Sequence, residues 1–129
     1  MTYRNIFDQA LALLGEDTSG SYSEDYLARA PFRLATVTSE LAESDALYRA
    51  SHGERGAVAE TATTVNMNDE LCLSDVFAPA VVYYLASMLI FDTDEKKSDT
   101  LYDKFCDICV KIESRLPFTA EKTAQRYPF

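Results

Sequence analysis

The chain has 129 residues, of which 47% are hydrophobic and 26% charged, as is typical of a single globular domain. Its formal net charge is −9, and the pair Lys96–Lys97 stands among acidic neighbours. Because nucleic-acid affinity comes largely from neutralised phosphates, this charge argues against tight DNA binding. The three cysteines, an odd number, favour free thiols in a reducing compartment over a disulfide scaffold.

The start of the chain lacks the pattern of a signal peptide, because an amphipathic segment containing Asp8 follows the first residues directly. The longest apolar stretch, residues 76–91, contains Pro79, two tyrosines and a serine. A membrane helix needs about 20 mainly apolar residues. We therefore expect no membrane-spanning segment and no membrane partner.

Two amphipathic helices are predicted in the first half of the chain. The first covers residues 2–14, with Thr2 as its cap and Gly15 where a glycine commonly ends a helix. The second begins near Ser23 and carries an apolar stripe at steps of three and four residues: Tyr26, Ala30, Leu34, Val37 and Leu41. Pro31 interrupts this stripe, and we expect a helix that continues through it with a kink.

A long loop is predicted for residues 49–68, where the helical period is lost and Gly53 and Gly56 lie close together. Residues 61–65 have weak strand character. Long loops in compact domains are usually functional or disordered. We therefore interpret this segment as a contact arm for another molecule.

Two further helices are predicted in the second half. The third covers residues 74–91, with Ser74 as its cap, and is apolar around most of its circumference, which is typical of a helix at the centre of a bundle. The fourth follows a tight connection at residues 92–94 and ends before Pro117. Its inward face is marked by a regular apolar stripe: Leu101, Phe105, Ile108, Ile112 and Leu116.

Together these patterns predict an all-α fold. We expect a small four-helix bundle of two antiparallel helical hairpins, with a long loop between helices 2 and 3 and an extended C-terminal tail. Residues 1–116 form the predicted helical domain and residues 117–129 the tail. The tail is mostly polar and ends in Tyr127, Pro128 and Phe129, so we expect it to contact a neighbouring molecule.

Cys106 and Cys109 form a Cys-x-x-Cys motif, which on a helix places two thiols on roughly the same face. A structural zinc site needs four ligands, and the remaining candidates, Cys72 and His52, are single and irregularly spaced. Since buried cysteine behaves as a small hydrophobic residue, we expect Cys109 to line the core and Cys106 to lie at its edge. We predict no metal site and no cofactor.

Acidic residues on the second helix and at the predicted turn after the third superficially resemble those of all-α, Mg²⁺-dependent nucleotide pyrophosphohydrolases: Glu40, Glu43, Asp92, Asp94 and Glu95. Those enzymes direct carboxylates inward from two helices to bind Mg²⁺. Here no Glu-x-x-Asp pair occupies the helix that would have to face Glu40. We favour solvent-exposed faces and helix caps, and keep the hydrolase as an alternative.

His52 is the single histidine and lies beside Ser51, too close in sequence for a catalytic triad with ordinary backbone geometry. The sequence contains no Gly-x-Ser-x-Gly motif, no P-loop and no dinucleotide fingerprint. No residues are arranged for nucleophilic or general acid–base catalysis. The sequence therefore predicts no enzyme.

Two stretches resemble the small head-to-tail connector, or adaptor, proteins of tailed bacteriophages and prophages. The first is IFDQALALLGE at residues 6–16, followed by SYSEDYLARAPFRLATVTSEL at residues 21–41. The second is VNMNDELCLSDVFAPAVVYYLASMLI at residues 65–90, before an acidic turn and a helix with Tyr102 and Phe105. The resemblance covers about four-fifths of the chain, and Tyr84 stands where the family commonly has a glycine.

This resemblance implies a structural protein of the virion neck, present in the host cytoplasm during assembly. Such proteins are short helical bundles that form a homo-oligomeric ring, commonly of twelve copies, under the portal protein. The ring extends the channel through which the genome DNA passes, without specific DNA binding, and offers a docking surface to a downstream neck or tail protein. A negative channel suits this role, because like charge prevents DNA from sticking.

We expect the loop and the tail to make the contacts between subunits or with the portal. The residues with side chains suited to these contacts are His52, Arg55, Val58, Val65, Phe118, Tyr127, Pro128 and Phe129. A non-viral helical module that binds one protein partner remains an alternative to the connector.

Overall fold

The computed structural model describes residues 1–15, 23–53 and 63–116, which form four α-helices around one core. The helices are α1 (Tyr3–Leu13), α2 (Ser23–Ser51), α3 (Ala78–Leu89) and α4 (Glu95–Ser114), and a short 3₁₀ turn at Asp75–Phe77 leads into α3. Within these ranges the extended pairing is limited to one isolated bridge between Thr2 and Glu70. The predicted all-α bundle of four helices is confirmed.

Helix α1 begins and ends as its sequence predicts. The Thr2 hydroxyl accepts a hydrogen bond from the Asn5 backbone N–H at 3.1 Å, and the Asn5 side-chain oxygen accepts one from the Thr2 N–H at 3.0 Å. This reciprocal pair satisfies two N–H groups that the first helical turn leaves free. At the other end Gly15 has a φ of +73°, a conformation that glycine adopts without strain.

Helix α2 is continuous through Pro31, so the helix starts well before the proline, as predicted. Every member of the predicted stripe from Tyr26 to Leu41 is buried. The helix continues further than expected, to Ser51, and the predicted loop boundary at residue 49 is therefore wrong. Arg49 stays helical because its guanidinium pairs with the Asp45 carboxylate one turn earlier, at 2.9 Å.

Helix α3 is the central element, and the other three helices pack against it. Two contacts fix its direction relative to α2. The Arg29 side chain, near the start of α2, donates to the Leu89 carbonyl at 2.9 Å, while Asp45, near the end of α2, accepts from the Ser74 N–H at 2.8 Å. The two helices are therefore antiparallel.

The boundaries of the third helix differ from the prediction. Ser74 occupies the cap position, but its side chain makes no capping hydrogen bond, and its buried hydroxyl has no partner among the described residues. The backbone first forms a 3₁₀ turn and becomes α-helical at Ala78, where Pro79 fits the first turn because it lacks an N–H. The helix ends at Leu89 rather than at Phe91, which is exposed.

Helix α4 packs antiparallel on α3 through two kinds of contact. Tyr84 is buried against Phe105, with ring centroids 5.2 Å apart. Nearer the turn, Ser87 and Ser98 are both buried, and each hydroxyl donates to the other residue's carbonyl, at 3.0 and 2.9 Å. The small serines, rather than a glycine at position 84, thus allow close approach of the two backbones.

The inward stripe predicted for α4 is confirmed. Leu101, Phe105, Ile112 and Leu116 are buried, and Ile108 is partly buried against the core. At the start of the helix the Asp94 carboxylate accepts from the Lys97 N–H at 3.0 Å, so this acidic residue serves as a cap. None of the described helices is both long and apolar enough to cross a membrane.

The end of the loop between α2 and α3 is bound to the chain's own helices. The Tyr3 and Arg4 N–H groups donate to the carbonyls of Asp69 and Met67, at 3.1 and 2.9 Å, and the Val65 N–H donates to the Pro31 carbonyl at 3.3 Å. These bonds occupy backbone groups that the predicted contact arm would have left free. The part of the loop that the structure describes is therefore integrated into the domain.

Candidate interaction surfaces

The cysteines occupy the positions that their spacing predicts. Cys109 is half-buried, and Cys106 is exposed at the edge of the core, while Cys72 is exposed on the loop. In the described ranges, no three His, Cys, Asp or Glu side chains are grouped closely enough to hold a metal ion. Of the three cysteines, Cys109 packs against the core, while Cys72 and Cys106 are exposed.

Burial raises the pKa of the Cys109 thiol to about 11, and the carboxylate of Glu113 adds to the shift. At about pH 8 such a thiol has roughly a hundredfold less thiolate than one at its ordinary value. Iodoacetamide should therefore modify Cys109 at least about tenfold more slowly than the exposed Cys106, as measured by mass spectrometry of the digested protein. Equal rates at the two positions would contradict this environment.

The raised pKa of Cys109 also makes the stability of the fold depend on pH. Because the folded pKa of Cys109 lies above the ordinary value of 9.0, the unfolded thiol ionises first as the pH rises. This thiol's contribution to stability is thus complete at neutral pH and is lost as the pH passes through the folded value.

A buried carboxylate joins the end of α2 to the segment that precedes α3. Asp45 is 5% exposed, and one of its oxygens accepts from the Ser74 N–H at 2.8 Å. Its other oxygen pairs with the Arg49 guanidinium, which also donates to the Cys72 carbonyl at 3.0 Å. This cluster holds the 72–74 backbone against α2. The sequence pattern does not reveal this cluster, although Asp45 continues the apolar stripe one turn after Leu41.

His52 lies at the end of α2 and is exposed. Its ring stacks on Tyr48 with centroids 4.2 Å apart, and its Nδ1 lies 2.9 Å from the Tyr48 carbonyl oxygen. Tyr48 also lines an open pocket of about 370 Å³, together with Arg49, Leu73, Ser74, Asp75 and Val76. The imidazole is exposed and therefore accessible to a partner. Within the chain it contacts the carbonyl and the ring of Tyr48, at the end of α2.

Val65 is the other predicted contact residue that the structure describes, and it is half-buried against the core. Part of its apolar surface is therefore already used within the domain. The remaining predicted contact residues lie outside the described ranges: Arg55, Val58, Phe118, Tyr127, Pro128 and Phe129. Their role in partner binding stays a prediction, as does the tail as a separate segment.

A small apolar groove lies between α1 and α3. Its volume is about 310 Å³, and it is lined by Gln9, Ala12, Leu13, Pro79, Val82 and Tyr83. Leu13 is 37% exposed although it is a large apolar residue. We call this feature the α1–α3 groove. Sequence periodicity did not single it out, because the groove forms only where α1 and α3 come together.

The outward side of α4 carries a row of carboxylates that we call the α4 acidic row: Glu95, Asp99, Asp103 and Asp107. All four side chains are exposed and follow one another at intervals of four residues, so they share one face of the helix. The ion pairs within the described ranges include none of these four side chains. The row lies on the side of α4 opposite the buried stripe and makes that side predominantly negative, although Lys96 stands between two of its members.

Comparison of the chain with models of protein families, with curated proteins and with solved structures found no match.

Proposed function

We propose that this chain is a head-to-tail connector of a tailed bacteriophage or prophage, a neck protein that forms a ring under the portal. The observation that carries the proposal furthest is the α4 acidic row, considered together with the motif resemblance at residues 6–41 and 65–90. A ring of such subunits extends the DNA channel and docks the next neck or tail protein.

The acidic row is unfavourable for an isolated helix. Like charges four residues apart on a helix destabilise it by about 0.2–0.5 kcal/mol per pair. The row contains three successive pairs of this kind, from Glu95 to Asp107. Lys96, Lys104 and Lys111 lie three or four residues from Asp99 or Asp107 and offset part of this repulsion. A role that benefits from a predominantly negative face accounts for the remaining cost.

A channel for DNA is one setting in which such a face is useful. Repeated around a ring, the row gives a negative lumen that repels the phosphate backbone, so the genome passes without binding to the wall. Tight DNA binding would instead need exposed cationic groups that neutralise phosphates. We therefore assign the outward face of α4 to the lumen of the proposed ring.

The proposal places the protein in the virion neck, and in the host cytoplasm before assembly. Its partners are further copies of the same chain, commonly twelve in the family, then the portal protein and a downstream neck or tail protein. The loop and the tail, including Arg55, Val58 and Phe118, are the proposed contact segments. Tight bundle packing supports a rigid subunit body, because its buried side chains come from all four helices.

Charge reversal of the row tests this assignment. Particles carrying Asp99→Lys, Asp103→Lys and Asp107→Lys should assemble normally and release their genome more slowly, because lysines lining the lumen attract phosphates. The slowing should weaken as salt rises from about 50 to about 200 mM, since such contacts are strongly salt-dependent. The measurement is the rate of triggered genome release from purified particles.

A matched triple on exposed acids of other elements, Glu24→Lys, Asp69→Lys and Asp92→Lys, provides the control for net charge. It should leave the release rate unchanged. Equal slowing of genome release by both triple variants would contradict the assignment of α4 to the lumen. An α4 triple that releases DNA at the wild-type rate would have the same consequence.

A further inference from the structure

We propose that the α1–α3 groove receives the aromatic end of the tail, Tyr127–Pro128–Phe129, from the adjacent copy of this chain. The inference rests on the proposed ring and names the surface on which one subunit binds the next. In this contact, residues 127–129 of one copy bind the exposed apolar groove of the next copy.

The size of the groove limits what can occupy it. Its walls come from about one turn of each helix, residues 9–13 of α1 and 79–83 of α3, and its volume is about 310 Å³. A partner helix would need a longer apolar stripe to pack stably against the subunit. One or two aromatic side chains of an extended segment fit a pocket at this lower end of ligand-site volumes.

The chemistry of the tail complements the domain. Five of the six residues that line the groove are apolar or aromatic, and the tail ends in two aromatic residues around a proline. Proline restricts the chain before binding, so less conformational freedom is lost when the segment docks. The tail also holds two bases, Lys122 and Arg126, against one acid, Glu121, whereas the remaining residues are strongly acidic.

The position of the tail allows it to reach a neighbour. Residues 117–129 follow Leu116, which is buried two residues after the end of α4. Thirteen residues span at most about 45 Å when extended, which is longer than the helices of this domain. The tail and the groove are different surfaces, so their contact between copies is heterologous, and such a contact generates a ring where the rotation between copies closes. A contact between copies is therefore consistent with the proposed ring.

Photocrosslinking of the full chain tests the proposal. Copies with p-benzoylphenylalanine in place of Phe129 are mixed with an equal amount of ¹⁵N-labelled wild-type chain, irradiated and digested. Mass spectrometry should find the light position 129 joined to heavy peptides at residues 9–13 or 79–83. Light-to-light products alone would place the tail on its own copy and overturn the proposal. Products mapping elsewhere, or none at all, would also overturn it.

A pair of variants controls for folding. Leu13→Gln, placed in the heavy copy, should reduce the light-to-heavy yield at least about tenfold, because it puts a polar group into the groove. Val110→Gln changes another exposed apolar helix residue, 62% accessible on α4, and should leave the yield unchanged. Equal yields with both variants would contradict the groove as the binding surface.

Ring formation is measured separately by native mass spectrometry of the uncrosslinked wild-type chain with its portal. Rings without the groove cross-link would end this inference and leave the connector proposal standing. Groove cross-links between copies that never associate with a portal would support this contact and count against the connector.

Discussion

Replacing Phe77 with alanine should lower the free energy of unfolding by about 3–5 kcal/mol, the range for truncation of a buried aromatic residue. Phe77 is 0% exposed and lies in the 3₁₀ turn that leads into α3. Its ring meets the edge of Tyr48 with centroids 6.1 Å apart, so it joins the start of the central helix to the end of α2. Removing it leaves a cavity where two elements meet.

Urea denaturation followed by circular dichroism measures this loss. Phe91→Ala is the control, because Phe91 is 56% exposed at the turn after α3 and should change the stability by less than about 1 kcal/mol. If the two variants were equally stable, the 3₁₀ turn would not be part of the cooperative core.

Replacing Asp45 with alanine should cost about 2–4 kcal/mol. Removing one partner of a buried ion pair leaves the other charge uncompensated, which typically costs about 3–5 kcal/mol. Arg49 keeps 26% of its side chain accessible, so water offsets part of this loss. The Ser74 N–H also loses its acceptor, and the segment before α3 loses its connection to α2.

Helix α2 contains its own control for this experiment. Asp25 and Arg29 form a second pair at the same spacing, with the Asp25 side chain 68% exposed. Because exposed pairs contribute about 0–1 kcal/mol, Asp25→Ala should have a small effect on the urea midpoint. Asp45→Asn, which keeps an oxygen acceptor for Ser74, should lie between the two alanine variants. A loss as small at Asp45 as at Asp25 would contradict a structural role for the buried carboxylate.

The helices could be predicted from sequence because their apolar residues recur with the helical period. The stripe from Tyr26 to Leu41 and the stripe of α4 are both buried, and the caps Thr2 and Asp94 function as caps. These features are local: a periodic face or a cap depends on residues within about one or two turns. Local information was enough for the fold class.

The errors arose where distant residues determine the local structure. The loop boundary was set too early because Arg49 is held by Asp45 and by the Cys72 carbonyl, and the latter contact spans 23 positions. Ser74 was assigned a capping role that its side chain does not perform. The mutual hydrogen bonds of Ser87 and Ser98 depend on the pairing of α3 with α4, which periodicity alone does not specify.

The candidate surfaces were less predictable than the core. The acids of α4 are visible in the sequence. Their exposure, and the absence of ion-pair partners for them among the described residues, could be established only from the positions of the neighbouring helices. The α1–α3 groove depends on how Leu13 and Pro79 come together from two helices, and no short motif encodes that placement.

The central claim, that this chain is a ring-forming connector, is tested most directly by mixing the full chain with the purified portal ring encoded in the same genome. When this chain is added to saturation, native mass spectrometry should show one complex, in which the portal carries a complete ring of this chain. Complexes that carry fewer copies of the chain should be absent. A chain that stays unbound at concentrations of tens of micromolar, while hydrolysing nucleotides with Mg²⁺ or binding a non-viral protein, would contradict the account.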